Sequence, residues 1–311
     1  MKCLLSFAWI LIYPFVLFSQ DNPSVGADAE WNKFESKRYI GSIQERTYAN
    51  RELISEDETT FMSRVEVIEA SPEHYTLNFK TNYNGRPGVE TAYEFANHIN
   101  GLDILVRTDE TGLIESVENR PYVLSEVKKL WKQTFQHLGS GEEVEQMWQD
   151  KLDRYTSSDD LDMSLTGELR EILFLHGIFY PLGEVYEFDS YIAGFDVYEN
   201  IPANCKLTYT SLEGGILKAE LILDIDEEGF GAVIDEVVHE MLMAEFDMKM
   251  EEEFVTRIRE ELGELKITNK VFYEVDAESG WMLEMRDRTV INFRGEKNVI
   301  LTTLKLERES E

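Results

Sequence analysis

The chain of 311 residues is short of cysteine, histidine, proline and positive charge. It has 2 cysteines, and Cys3 precedes an apolar run that reads as a removable leader. The mature chain then keeps Cys205 alone, so no internal disulfide braces it and burial must hold its core. Cys205 opens an apolar alternation with Leu207 and Tyr209, which suits a small buried hydrophobe. Nothing local pairs its thiol with a histidine. The five histidines (His74, His98, His137, His176, His239) are scattered, so any multi-histidine metal site would have to be assembled by the fold.

Catalytic signatures are missing as well. His239-Glu240 begins like a zinc-protease helix, but Met243 stands where the second histidine is required. The chain has no GxSxG elbow, no P-loop and no GxGxxG fingerprint. Lys plus Arg number 30 against 61 Asp plus Glu, a formal net charge of −31. Such a chain repels a phosphate backbone, which excludes nucleic acid as a partner. It disfavours an anionic membrane surface for the same reason. Disorder is excluded for most of the chain, because 43% of residues are hydrophobic and 12% aromatic.

Long apolar runs are absent except at the start. Leu4 to Phe18 follows Lys2, contains Pro14 and leads to Ser19-Gln20, the layout of a secretory signal peptide. It is shorter than the roughly 20 residues a spanning helix needs. Export to the periplasm or the exterior is expected, with no membrane span in the mature chain. Residues 1–20 are read as the signal, 21–36 as a flexible lead-in and 37–311 as a single domain.

Period-two alternation marks strands at Tyr39–Ile43, Phe61–Ile68 and Tyr75–Phe79. Leu102–Arg107 and Leu113–Val117 flank Asp109-Glu110-Thr111-Gly112, a hairpin turn. Helical spacing follows from Pro121 to Leu138, from Val144 to Tyr155 and from Leu165 to His176. Strands return at Tyr186–Tyr198, Lys206–Thr210 and Ile216–Ile225. Ala232 to Leu262 reads as one long acidic helix, and strands are predicted near 265–275, 281–293 and 298–307. Three acidic turns share an Asp and a closing glycine: Asp109–Gly112, Asp226–Gly229 and Asp276–Gly280. The expected fold is therefore α+β, a large curved antiparallel sheet, half-barrel-like, with helices packed on one side. Its two β-rich halves, 37–118 and 184–311, are joined by helices over 121–177. The acids are expected to coat wet strand faces, turns and the long helix.

Some of these segments look familiar. Leu17-Phe18-Ser19-Gln20 is similar to secretion signals of Bacteroidetes. Thr108–Gly112, Pro181–Tyr186, Cys205–Tyr209 and Tyr273–Trp281 resemble exported proteins of unknown function from that phylum. These in turn resemble, distantly, the half-barrel of periplasmic lipoprotein carriers. The resemblance implies a curved sheet and supplies no catalytic residues.

Three clusters invite chemistry. Asp224, Asp226, Glu228 and Asp235 sit at calcium-loop spacing, with Gly229 at the turn. Glu228 is long for its position and Asp235 is shorter than the usual bidentate Glu, so a solvated turn is the plainer reading. Met241, Met243, Met248 and Met250 offer soft ligands, but on a helix Met241 and Met243 point apart, which favours core filler. Phe179, Tyr186, Phe188, Tyr191 and Phe195 belong to an aromatic cluster that could line an apolar concavity. No cofactor is expected. The leading expectation is a non-enzymatic exported protein that binds an apolar small molecule or an exported partner protein. A hydrolase with a fold-assembled carboxylate pair and a structural or adhesive surface component are the alternatives.

Overall fold

A computed structural model describes residues 23–84, 100–138, 165–193, 200–225, 266–293 and 295–307. Eleven strands form one antiparallel sheet. In chain order they are β2 (Ser36–Ala49), β3 (Glu52–Ala70), β4 (His74–Asn84), β5 (Ile104–Asp109) and β6 (Ile114–Val117), then β8 (Val185–Ala193), β9 (Asn200–Glu213) and β10 (Ile216–Ile225), then β11 (Lys266–Asp276), β12 (Met282–Phe293) and β13 (Glu296–Leu306). Their order across the sheet is β6-β5-β4-β3-β2-β13-β12-β11-β10-β9-β8. The two β-rich stretches therefore share one sheet, joined where β2 pairs with β13.

Alternation decides the faces. In β10, Leu217, Ala219, Leu221 and Leu223 are buried while Lys218, Glu220 and Ile222 are not. In β11 the buried set is Ile267, Asn269, Val271, Tyr273 and Val275. Pairing carries this period across the sheet, so a single inner face holds the core. Tyr39, Phe61, Phe79, Leu207 and Tyr209 lie in it.

The inner face is covered by a short plug. Strand β1 (Ser24–Gly26) pairs with β7 (Phe179–Pro181), and helix α2 (Gly167–Ile172) precedes β7. Ala27, Ala29 and Trp31 join Leu165, Leu169, Ile172 and Leu175 in the core. Two phenols, Tyr209 buried and Tyr75 half-buried, tie the plug down. Tyr209 donates to the Ile178 carbonyl at 2.7 Å, and Tyr75 donates to the Ala29 carbonyl at 2.6 Å.

The sheet is curved, because its distant strands meet at the plug. Trp31 stacks on Trp281 at the start of β12, with ring centroids 4.7 Å apart. It also meets Tyr75 of β4 at 4.9 Å and His176 at 5.2 Å. Two of the acidic turns converge there. A Cβ on Gly112 would meet His176 and Trp31, and one on Gly280 would meet His176 and the Asp28 carbonyl. Both glycines have positive φ, so turn geometry and close approach demand the same residue. The third turn, Asp226–Gly229, lies outside the described residues.

The α+β expectation does not hold. The described fold is mostly β, built on one open 11-stranded sheet, with two helices among the described residues. Helix α1 (Arg120–Leu138) forms where predicted. The apolar spacing from Leu165 to His176 yields only the six-residue α2, because the chain leaves the helix at Leu173 to pack His176 under the two turns. The predicted helices Val144–Tyr155 and Ala232–Leu262 fall outside the described residues. Strands also run longer than the alternation suggested, reaching 19 residues in β3.

Candidate functional site

Of the aromatic candidates, Tyr186 and Phe188 lie on β8 opposite Leu207 and Cys205, which places them on the inner face at the sheet edge. Their rings stack at 5.2 Å, and Tyr180 leans on Tyr186 at 5.1 Å. All three pack partly buried against the core. Phe179 is exposed on β7. Tyr191 lies on β8, but its side chain and all of Phe195 fall outside the described residues. Among the calcium-loop residues, Asp224 is exposed on β10 opposite Asn204, while Asp226, Glu228 and Asp235 are outside the described residues, as are the four methionines. Cys205 is buried, and burial pushes its thiol up to about 12, so it is inert at neutral pH.

Three carboxyls meet where α2 touches β12. Burial, the Asp287 charge and the Glu168 charge together raise Glu171 to about 8. Burial raises Glu168 and Asp287 to about 7 each. They keep some accessible area, yet protein surrounds them closely enough for desolvation to dominate. Tyr273 donates to Glu171 at 3.1 Å, and Asn269 donates to Asp287 at 2.6 Å. The Tyr273–Glu171 bond fastens helix to sheet, and the Asn269–Asp287 bond joins β11 to β12. His176 is the opposite case, since burial lowers it to about 4 and the neutral ring lies 3.1 Å from the Leu173 carbonyl.

The outward face of the sheet carries a different chemistry. Acids there are matched by cations in cross-strand pairs: Lys206–Glu187 at 3.0 Å, Lys218–Glu274 at 3.1 Å, Lys270–Glu220, and Lys305–Glu284 at 3.9 Å. The excess acid of the chain is thus not carried by this face. At one end of the central strands a cleft of about 620 Å³ opens. Arg46 and Tyr48 of β2, Arg288 and Asn292 of β12, and Lys297, Val299 and Leu301 of β13 line it. Arg51, Phe293, Gly295 and Glu296 complete it from the two hairpin turns.

Register explains how residues so distant in sequence meet. Tyr48 pairs with Lys297, and Lys297 with Asn292; Arg46 pairs with Val299. The floor is apolar. Val299 and Leu301 form it; Val299, at 8% exposure, lies directly opposite Val290, which is buried at 6% outside the lining. They stand apart from the main core. Arg46 is anchored by Glu56, its cross-strand partner, at 2.8 Å. Arg51, Arg288 and Lys297 form no ion pair among the described residues, and Glu296 is the one acid in the lining. Arg51 also holds φ at +69° and Asn50 at +50° in the two-residue turn between β2 and β3. A two-residue turn of this kind favours glycine at its second position, so an arginine there is strained.

Sequence reading missed this cleft. Its cations are separated by more than two hundred positions and share no motif. The available signals were an arginine at a hairpin turn and the pair Arg288 and Lys297 flanking the Gly295 turn.

No family model matches the chain, and no curated protein matches it. Among solved structures, it is similar to one described as lipid–protein interactions in lipovitellin, with a TM-score of 0.40 and 11% identity, over 91% of this chain and 26% of that one. The chain thus spans about a quarter of the lipovitellin chain's length. It is also similar to Ail, the attachment invasion locus protein of Yersinia pestis, with a TM-score of 0.14 and 7% identity, over 88% of this chain and 99% of that one. Likeness at this level specifies no ligand.

Proposed function

We propose that this protein binds an anionic small molecule in the cleft between the β2–β3 and β12–β13 hairpins, and that it acts by binding rather than turnover. One observation carries the reading: Arg51, Arg288 and Lys297, all without ion pairs among the described residues, converge in one cleft of a chain whose net charge is −31. Uncompensated cations are rare goods in such a chain, and a bound anion would complete them through charge-assisted hydrogen bonds. The volume suits a compact ligand, because small-molecule sites run from about 300 to 1,000 Å³. Glu168, Glu171 and Asp287 lie at the α2–β12 contact, Glu45, raised by burial and the Asp57 charge, lies on β2, and none of them is in this lining, so the cleft offers no acid pair for hydrolysis. The aromatic concavity expected from the sequence is taken up in part by packing of Tyr186 and Phe188 against the core.

Calorimetric titration with inorganic pyrophosphate tests the proposal. Saturable binding is expected, weakened about tenfold or more in the double variant Arg288→Gln/Lys297→Gln. Both side chains are exposed, so the fold should be unaffected. Absence of saturable binding to the wild-type protein, or equal binding by the double variant, overturns the proposal.

A further inference from the structure

The cleft has two unlike parts, and their arrangement says more about what fits it. This inference rests on the anion-binding reading above. The cations stand at the rim: Arg51 on the hairpin turn, Arg288 on β12 and Lys297 beside Gly295. Arg51, Arg288 and Lys297 are exposed, whereas the floor beneath them is Val299 with Leu301 alongside. Tyr48 and Phe293 are half-buried and flank this floor.

A site for a free inorganic anion needs no such floor. Small anions are held by donors on all sides, and apolar walls only remove water that would otherwise help solvate them. The neighbouring strands show what this face does without a ligand to accommodate. Positions there are filled by Lys218, Glu220, Lys270 and Glu274, which pair across strands and stay wet. Ile222 and Phe272 lie among these ion pairs on the same face, whereas in the cleft Val299 and Leu301 lie beside cations that form no ion pair among the described residues. We infer that the ligand is an anionic amphiphile: a phosphate- or carboxylate-bearing headgroup gripped by Arg51, Arg288 and Lys297, with its apolar portion laid on Val299 and Leu301.

The geometry also orients the ligand. Arg46 is already neutralised by Glu56, so the headgroup belongs toward the turns, where Arg51 and Lys297 stand. Two arginine forks and one ammonium favour a group with two charges over one with a single charge. The apolar portion then runs along Val299 toward Leu301, and Arg288, directly opposite Leu301, must reach back toward the turns to join the headgroup. Strain at Arg51 fits the same role, because a glycine would satisfy the turn better and would bring no headgroup contact.

The shared chemistry could be met by a single amphiphile, by a free phosphate or by the headgroup layer of a membrane. Calorimetry should therefore compare four probes: octyl phosphate below its micelle concentration, inorganic phosphate, octyl glucoside, and vesicles of phosphatidylcholine mixed with phosphatidic acid. Octyl phosphate is expected to bind about tenfold tighter than either soluble comparator, since headgroup and chain each contribute. It should lose that advantage over octyl glucoside in Arg288→Gln/Lys297→Gln, and its advantage over inorganic phosphate in Val299→Asn. Circular dichroism and thermal melting of Val299→Asn must match the wild type; should that variant fail to fold, Leu301→Gln replaces it. Inorganic phosphate binding as tightly as octyl phosphate overturns the amphiphile and leaves the anion site standing. Octyl glucoside binding as tightly as octyl phosphate overturns both. Vesicle binding that matches or exceeds octyl phosphate also overturns the inference, in favour of a membrane surface.

Discussion

Arg51 puts stability and function in opposition at one position. Its left-handed backbone costs roughly 1–2 kcal/mol relative to glycine in the same turn. Arg51→Gly should therefore raise the denaturation midpoint by an amount of that order while weakening anion binding. Urea unfolding and calorimetry on the same preparation check both halves. A variant that is stabilised and binds as well as the wild type would remove Arg51 from the site. Trp31 is a purely structural counterpart. It stacks on Trp281 and contacts Tyr75 and His176, so Trp31→Ala should cost about 3–5 kcal/mol in equilibrium unfolding. Single residues were unevenly legible in the sequence. Cys205 was readable as a core hydrophobe because its neighbours alternate. His176 was readable only as one apolar position on a helix, since its environment comes from turns at Gly112 and Gly280, distant in sequence.

Among elements, the contact between α2 and β12 should make stability depend on pH. An unfolded carboxyl sheds its proton near pH 4, whereas Glu168 and Asp287 keep theirs to about 7 and Glu171 to about 8 in the fold. Between those limits the unfolded chain binds fewer protons than the folded one, so stability falls as pH rises. His176 works in the other direction, but only below about pH 6.5, where its ring would charge if freed. Thermal midpoints measured from about pH 6.5 to 8.5 should therefore decline. Asp287→Asn should flatten the decline, since an amide keeps the shape and the partner Asn269 without the charge. A slope unchanged in that variant would show that the carboxyls do not titrate at this contact.

The same scale explains which elements could be read in advance. The β11–β13 meander was legible because buried, mostly apolar residues recur at every second position of β11 and its turns carry glycine. The long β2–β3 arm was not. Glu52 to Glu58 is exposed throughout, so neither face has an apolar period to detect. Pairing with β2 makes it a strand, and pairing is not local information. Helical spacing at Leu165–His176 misled for a related reason. A short plug that buries most of its residues shows the same apolar density as one face of a longer helix.

For the whole molecule, the surplus of acid is distributed unevenly. Cross-strand pairs nearly balance the outward sheet face, and Arg51, Arg288 and Lys297, which form no ion pair among the described residues, gather at a single end of it. A uniform acidic coat, as composition alone suggested, would have hidden a cationic cleft. Anion binding at an exposed rim should weaken with added salt, because charges more than about 8 Å apart are largely screened at physiological ionic strength. The double variant Arg288→Gln/Lys297→Gln should lose most of that salt dependence. Export remains a proposal carried by residues 1–20, and secretion of a reporter fused to them would test it.

The most direct measurement is a crystal structure of the protein grown with selenate, read by anomalous scattering. A selenium peak within hydrogen-bonding distance of Arg51, Arg288 and Lys297 is the expected result, absent from Arg288→Gln/Lys297→Gln crystals. An empty cleft in wild-type crystals, with selenate bound elsewhere or nowhere, would contradict the anion site.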